Sequence, residues 1–306
     1  MRHFVTYPLV AHPYHAELVT KQALVRFATR AEELGFDGVG FTDHPAPSHK
    51  WLTHGGHDAL DPFVAFGVVA AVTERLRLIP NILVLPYRNP FVVAKAAATL
   101  DTVSGGRFVL AVATGYQRGE YRALGVDFDE RNDLFDEALA VIKGVWATDE
   151  FAYEGLHFTA TGQTANPKPA GVPIWVGGNS ALSRRRVATI GDCWSPFPAP
   201  ALLARTAKTP VLETVDDLLP MLDHLWRCVE EAGRDPKEVD VSMSALGCAP
   251  PGQDGFDPQQ HLDMLGTLAE VGVTWTSTSV PGDSLDHALD ALAAYADGVI
   301  APLRSA

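Results

Sequence analysis

The sequence predicts an α/β fold of the TIM (β/α)8 barrel class with insertions, and three observations carry that prediction. First, RLRLIPNILVLPYRNPFVVAKAAATLDTVSGGRFVLAVATGYQRGE (75–120) holds two continuous apolar runs, 76–85 and 108–113, separated by one helix-length segment, 90–103. Each run is too uniformly apolar for a sheet face that meets water and too short for a buried helix, so both read as buried strands. Joined through a helix they form a βαβ unit, whose right-handed crossover makes them parallel neighbours. Second, strand and helix segments alternate eight times within 306 residues, as a closed parallel barrel requires. Third, the GxGxxG phosphate fingerprint of doubly wound open sheets is absent after the first strand. Residues 1–306 therefore read as one barrel domain, with peripheral insertions near 45–60, 150–172 and 197–215.

In chain order, 4–9 is a short apolar first strand, followed by a polar, Pro-broken loop holding His12, Pro13, Tyr14 and His15. Apolar residues then recur at Ala23, Leu24, Phe27, Ala28, Ala31 and Leu34, one face of a helix over 20–34 that Gly35 ends. Residues 39–41 make the second strand, which finishes at Thr42, Asp43 and His44. Segment 45–60 carries Trp51, His49, His54 and His57 with neither periodicity, and is longer than a connector needs, the mark of a functional lid or a mobile loop. Asp61 before Pro62 is an N-cap acid followed by proline at the first helical position, opening a helix that runs through Phe66 and Val69 to Glu74. After the βαβ unit, 119–131 is a loop and 132–146 a helix with Leu134, Phe135, Ala138, Val141, Ile142 and Val145 on one side. Segment 150–172 breaks the alternation, and loosely alternating aromatics around Gly155 suggest a small hairpin. A strand at 173–176, a turn at Gly177, Gly178 and Asn179, a helix at 180–190 and a short strand at 193–195 follow. The Pro-rich segment 197–215 is an irregular insertion, after which 216–232 is helical, 239–246 a strand, 258–271 a helix, 273–279 a strand and 284–300 the last helix.

Composition narrows the function classes. A formal net charge of −13, with no basic run beyond Arg184, Arg185 and Arg186, argues against nucleic-acid binding and for a small-molecule substrate. Cys193, Cys228 and Cys248 are odd in number and contain no CxxC, so neither a disulfide framework nor a zinc site is indicated, and a reducing cytoplasm is the expected setting. Residues 1–10 lack a signal-peptide pattern, and no apolar run reaches the roughly 20 residues that span a bilayer.

In a barrel the loops after the strands build the site. That singles out Asp43 and His44, 83–86, 113–116, Gly177 to Ser180, 194–196 and 278–280. At Gly177, Gly178, Asn179 and Ser180 a strand meets a helix, which reads equally as a phosphate site or as a plain βα turn with an N-cap. His44 reads as a general acid or a hydrogen-bond donor to a bound ring, or else as a half-exposed neighbour of a loop-capping Asp43. Tyr116, Arg118 and Glu120 follow the Gly115 bend and line the substrate side or serve as caps and ion pairs. The Arg184–Arg186 run either meets an acidic cofactor tail or forms a solvated helix face, the commoner case. No histidine pair has a metal-ligand spacing on regular structure, and no metal is assigned.

Five segments in this order, GFDGVGFTDH (35–44), DPFVAFGVVAAVTERLRL (61–78), RNPFVVAKAAATLDTVSGGRFVLAVATGY (88–116), NPKPAGVPIWVGGNS (166–180) and GDCWSP (191–196), resemble the bacterial luciferase-like flavin and deazaflavin oxidoreductases. TERLRL, VLPYRNP, LDTVSGGRF and WVGGNS look most like the branch that uses coenzyme F420 rather than FMN. The resemblance implies a TIM barrel with the cofactor across its mouth and the phosphate at Gly177, Gly178, Asn179 and Ser180. It also implies Asp43 and His44 near the ring, Leu83 and Val84 behind it, Thr114 and Gly115 near the ribityl chain and Tyr116 among the cofactor-binding residues, with His44 catalytic and a homodimer as the assembly. A cis bond between non-proline residues is expected near Leu83–Val84. Cys193 stands where the family commonly has glycine, placing a side chain close to the expected cofactor site. The expected function is F420-dependent hydride transfer to or from a small organic substrate. The alternatives are an FMN-dependent monooxygenase using O2, a non-catalytic flavin- or deazaflavin-binding protein, and, last, a metal-dependent barrel hydrolase.

Overall fold

The computed structural model describes residues 1–305. In chain order it contains β1 (Arg2–Thr6), α1 (Lys21–Glu33), β2 (Gly38–Phe41), α2 (His49–Leu52), α3 (Pro62–Ala70), β3 (Arg77–Pro80), β4 (Leu83–Val84), α4 (Pro90–Ser104), β5 (Leu110–Ala113), α5 (Arg118–Ala123) and α6 (Arg131–Ala147). These are followed by β6 (Phe151–Glu154), β7 (Thr159–Gln163), β8 (Ile174–Gly177), α7 (Ala181–Ile190), β9 (Cys193–Ser195), α8 (Ala201–Ala207), α9 (Val215–Glu231), β10 (Asp240–Val241), α10 (Pro258–Glu270), β11 (Trp275–Thr278), α11 (Leu285–Tyr295) and α12 (Ala301–Ser305). Helix starts obey local chemistry: Thr20 accepts from the Ala23 amide at 3.1 Å, and Asp61 from Val64 at 3.1 Å with proline next in line.

The parallel strands form two arcs, β11-β1-β2-β3 and β10-β9-β8-β5-β4. Two parallel bridges join the arcs into a ring. Leu78 pairs with Phe108, with Val109 N donating to Leu78 O at 3.0 Å, and Ser242 pairs with Trp275, with Met243 N donating to Trp275 O at 3.0 Å. Counting β3 and β4 as one interrupted strand gives the eight strands of a TIM barrel. The hairpin β6–β7 stands outside this ring. No helix among the described residues is long and apolar enough to cross a membrane.

Side chains alternate across each strand. Outward residues such as Val5, Val39, Phe41, Leu78, Leu110, Val112 and Val176 join the core shared with the helices. Inward, Phe4, Ile79, Val109, Ala111, Trp175, Cys193 and Trp275 form a separate cluster that plugs the barrel. Trp175 and Trp275 meet edge to face at 5.1 Å, and Phe4 meets Trp175 at 6.1 Å. Two residues further along the same strands come Thr6, Ala113, Gly177, Ser195 and Ser277, all small. The barrel is therefore packed solid in its lower half and left shallow under its C-terminal mouth. Cys193 belongs to the plug and not to the mouth, so its side chain does not narrow the site; burial pushes its thiol well above the usual range.

Several expectations are corrected. The run 76–85 is not continuous, because β3 pairs with β2 whereas β4 pairs with β5, and the chain steps between them at Asn81 and Ile82. The cis non-proline bond lies at Asn81–Ile82 and not near Leu83–Val84, which pair in regular register with Val112 and Ala113. Segment 45–60 contains α2, nucleated by the Ser48 cap, and 197–215 contains α8 and an Ala199–Leu212 bridge. The strand expected over 239–246 shortens to β10, and the last helix passes into a π turn at Ala296–Ile300. Arg184 and Arg186 are buried at 7% and 6% exposure, so their run is not a solvated face.

The outward face of β1 carries a titratable group. His3 is buried beside Tyr295, and burial, with smaller effects from the N-terminal ammonium and Arg304, lowers its pKa to about 4. The unfolded chain therefore takes up the His3 proton first, so this group's stabilisation is complete above the unfolded value of 6.5 and is lost as pH falls toward 4. The loss amounts to about 3 kcal/mol. Urea unfolding at pH 7 and pH 4.5 is expected to show His3→Phe losing less stability on acidification than the wild type; equal losses would contradict this account of His3.

Candidate active site

Three loops at the strand C-termini converge on one carboxylate. At the start of α5, the N-cap Gln117 and the helical Glu120 and Tyr121 occupy i, i+3 and i+4 and all turn inward, while Arg118 and Arg122 face solvent. Glu120 has no exposed surface. Its Oε2 accepts from the Tyr87 hydroxyl at 3.0 Å and lies 3.1 Å from His44 Nδ1, and its Oε1 accepts from the Ala46 amide at 2.9 Å. A carboxylate here only accepts, so His44 carries its proton on Nδ1 and leaves Nε2 as the acceptor. Gln117 Nε2 stands 3.1 Å from the same Nδ1, and with that nitrogen protonated the amide is assigned the flipped orientation, oxygen toward the ring. Burial and the neighbouring Glu120 push the Tyr87 phenol far up, which keeps it a donor.

The long loop after β2 covers this pair. Trp51 lies 4.5 Å from the His44 ring and His57 5.0 Å from it. Burial lowers the His57 pKa, which holds it neutral at pH 7. His44 keeps 11% side-chain exposure, so its imidazole is shielded without being sealed. Such a group can take or give a proton in a largely dry setting.

Asp43, the neighbour of His44, faces a different partner. Its carboxylate takes a bidentate pair from Arg88, at 2.6 and 2.8 Å, and the Val84 amide at 2.9 Å. Burial drives its pKa up while Arg88 opposes the shift. Asp43 therefore ties the β2 end to β4 instead of presenting a free carboxylate. Leu83 points into the outer core and Val84 packs against Gly115 and Tyr87. Ile82, between the arcs, joins the inner plug and lies where a Cβ on Gly177 would come within 2.5 Å of it. Gly115 has a φ of 67°, and a Cβ there would meet Val84 at 2.6 Å, so the bend after β5 needs glycine twice over. The Thr114 carbonyl accepts from the Tyr121 hydroxyl, and Tyr116 is 37% exposed at the rim.

On the far side of the mouth, Gly177 ends β8 and Gly178, with a φ of 105°, turns the chain into α7. The Asn179 side chain is fully buried. It donates to Phe197 O at 2.9 Å and accepts from Phe197 N at 3.0 Å, so it anchors the 197–215 insertion rather than facing a ligand. Ser180 caps α7 through the Ser183 amide. What the turn offers is the first-turn amides of a helix with no acidic residue there, backed by the buried Arg184 donating to Asn179 O at 2.9 Å. Trp194 Nε1 holds Gly178 O at 2.9 Å. Such an end suits an anion.

The structure thus brings Asp43, His44, Val84, Thr114, Gly115 and Tyr116 to one side and the Gly177 to Ser180 turn to the other, and excludes the Leu83 and Asn179 side chains from the opening. Sequence reading passed over Tyr87 and Gln117, placed Trp51 and His57 in a functional lid or mobile loop without a role, and left Glu120 between a site role and a mundane one. Only the i, i+3, i+4 pattern from Gln117 could have flagged the inward face of α5. A separate cavity of about 540 Å³, lined by Arg2, Asp37, Arg75, Arg77 and Arg304, lies at the opposite end of the barrel. Among the described residues no group of His, Cys, Asp and Glu is arranged to hold a metal ion.

Comparison with known proteins adds the family. The luciferase-like monooxygenase profile matches residues 1–250. F420-dependent glucose-6-phosphate dehydrogenase of Nakamurella multipartita is 34% identical over 234 residues, 74% of this chain and 64% of that protein. The enzyme of the same name from Microbacterium testaceum is 32% identical over 225 residues, 72% of this chain and 62% of that protein. The chain spans a little under two thirds of the length of these two relatives. Monooxygenase RslO1 from Streptomyces bottropensis superposes with a TM-score of 0.82 over 99% of this chain and 100% of its own, at 20% identity, a likeness of fold.

The Asp43–Arg88 pair sets a testable expectation. Arg88→Ala leaves a buried carboxylate without its cation, and chemical unfolding should report a loss of about 3–5 kcal/mol at pH 7. A loss below about 1 kcal/mol, typical of an exposed pair, would contradict the role given to Asp43.

Proposed function

The chain belongs to the luciferase-like monooxygenase family, and from that premise we propose that it is an F420-dependent oxidoreductase acting on a small organic substrate. The observation that carries the reading is the His44–Glu120 pair at the mouth of a barrel whose other rim ends in an acid-free helix N-terminus. The F420-dependent relatives, matched over 72% and 74% of this chain, support the choice of cofactor. The residues present fit such a group: the small layer above the plug leaves room for a flat ring, and the turn after β8 suits its phosphate.

Bound there, the deazaflavin supplies a ring carbon that accepts or gives a hydride. The chain binds and orients. Gly177, Gly178 and the first-turn amides after Asn179 and Ser180 hold the phosphate, with Arg184 adding positive charge beneath. Thr114, Gly115 and Tyr116 run beside the linking chain, Ile82 supports the ring, and Leu83, Val84 and Asp43 hold that support in place from behind. His44 Nε2 takes the proton released by the substrate or returns it in the reverse direction, while Glu120 fixes the tautomer that makes this possible. Trp51 and His57 exclude water from the imidazole.

His44→Ala is expected to leave the circular dichroism spectrum and F420 affinity intact and to lower kcat by about 10²–10⁴-fold. Unchanged turnover would falsify the assignment of His44. Glu120→Gln keeps the volume but ends the acceptor-only constraint on Nδ1, so its pH–rate profile should change shape.

Membership of a family described as luciferase-like monooxygenases favours a second reading, an FMN-dependent monooxygenase using O2. Oxygen consumption with reduced FMN, absent with F420, would select it. We also propose a cytoplasmic homodimer. Adjacent helices α3 and α4 expose Val64 at 73% and Val92 at 65%, whereas Phe66 and Val69 face the barrel. Val64→Glu combined with Val92→Glu should yield a monomer by sedimentation, and a dimer that survives both changes places the interface elsewhere.

A further inference from the structure

The ring order of the strands divides the mouth into two arcs. In the functional reading above, on which this inference rests, the cofactor runs from the ends of β2 and β4 past β5 to the turn after β8, which are consecutive in the ring. The ends of β9, β10, β11 and β1 are left for the substrate. We propose that this second arc binds an uncharged alcohol or carbonyl compound, one that carries neither phosphate nor carboxylate.

Charge is distributed unequally between the arcs. Residues 238–303, which supply β10, β11 and their loops, contain no Lys or Arg, and neither does the loop after β1 over 7–20. The same stretches hold Glu17, Asp254, Asp257, Asp283 and Asp286. The remaining loop, after β9, has Arg205 and Lys208, both exposed; Lys208 acts on Asp129 in the loop after α5, so this insertion leans back over the cofactor arc. Histidines do not make up the deficit: three face carboxylates, His12 with Asp58 at 2.8 Å, His287 with Asp283 at 2.8 Å and His15 with Glu17 at 4.0 Å, and the fourth, His261, is buried against Ala249 O at 2.9 Å.

Helix ends could in principle replace side-chain cations. Here most are already taken by the chain's own acids. Asp257 accepts from Gln259 N at 2.9 Å at the start of α10, and Glu17 accepts from Leu285 N at 3.3 Å at the start of α11. At the start of α9, Asp217 accepts from the amides of Glu213 and Thr214 at 3.0 Å. An anion entering this arc would lose its water with no side-chain cation to replace it. The ends of α7 and α1 are free of acids: that of α7 lies in the cofactor arc, and at that of α1 Thr20 Oγ1 accepts from Ala23 N at 3.1 Å.

The arc instead offers neutral polar groups. Ser195, Ser242 and Ser277 share inward register with Gly177, Trp275 and Phe4, so their hydroxyls floor the opening. A cleft of about 640 Å³ between the loops after β1, β10 and β11 is lined by Tyr14, Gln253 and Gly282 together with His15, Asp283 and His287, and holds no Lys or Arg. In the oxidative direction the substrate's carbinol carbon gives its hydride to the oxidised cofactor and its hydroxyl proton to His44 Nε2, leaving a carbonyl product. No further reactant is needed.

The test first measures F420 affinity by fluorescence quenching, then kcat/KM for F420 reduction with matched pairs: glucose and glucose 6-phosphate, glycerol and glycerol 3-phosphate, 2-propanol and lactate. The neutral member should lead each active pair by about 10-fold or more. Gln253→Arg, which adds a cation to the cleft, should raise kcat/KM for the anionic members and leave F420 affinity unchanged. If F420 binds normally and the anionic member leads in the wild type, the substrate class is wrong while the functional reading stands. If F420 fails to bind, that reading falls and this inference with it.

Discussion

A single carboxylate with no solvent-exposed surface, Glu120, holds one rim of the barrel mouth together. A buried charge is stable only when its lone pairs are satisfied, and here the donors come from different loops: His44 and Ala46 after β2, Tyr87 after β4. Each of those loops could otherwise take many conformations. Their common acceptor leaves one. The imidazole tautomer follows from the same constraint, so local structure, packing and proton chemistry at this rim share one cause.

The second determinant is the division of the barrel interior. Phe4, Trp175 and Trp275 fill the lower half, and small residues follow one pleat higher on the same strands. A barrel filled with large residues to the rim has no room for a planar ligand, and one without a plug loses the buried area that stabilises it. The Asn81–Ile82 step lets β3 and β4 serve different arcs and brings Ile82 to the inner surface below Gly177. The Asp43–Arg88 pair secures that step from outside.

Much of the fold was legible in the sequence because its signals are local. The apolar run at 108–113, the Asp61–Pro62 helix start, the Gly35 stop and the hairpin at 150–172 appear where expected. The site was legible less evenly. His44 and the Gly177 turn could be read from their places at strand ends, but Tyr87 reaches Glu120 and Trp51 reaches the imidazole only through tertiary packing that no local pattern encodes. Asn179 misleads for the opposite reason: its position suits a ligand, yet a distant insertion takes its amide. Arg184 and Arg186 look solvated until helix packing buries them, Arg186 against Asp136. Pro80 and Asn81 mark a break before 82–85, but that break reads as a strand start and carries no sign that the two halves pair with different neighbours.

The central claim is that this mouth is built for a deazaflavin. Titrating cofactor-stripped protein with F420 and, separately, with FMN, following fluorescence quenching, tests it most directly. Saturable F420 binding with much weaker FMN binding is the predicted result, whereas tight FMN binding without measurable F420 binding would contradict the account.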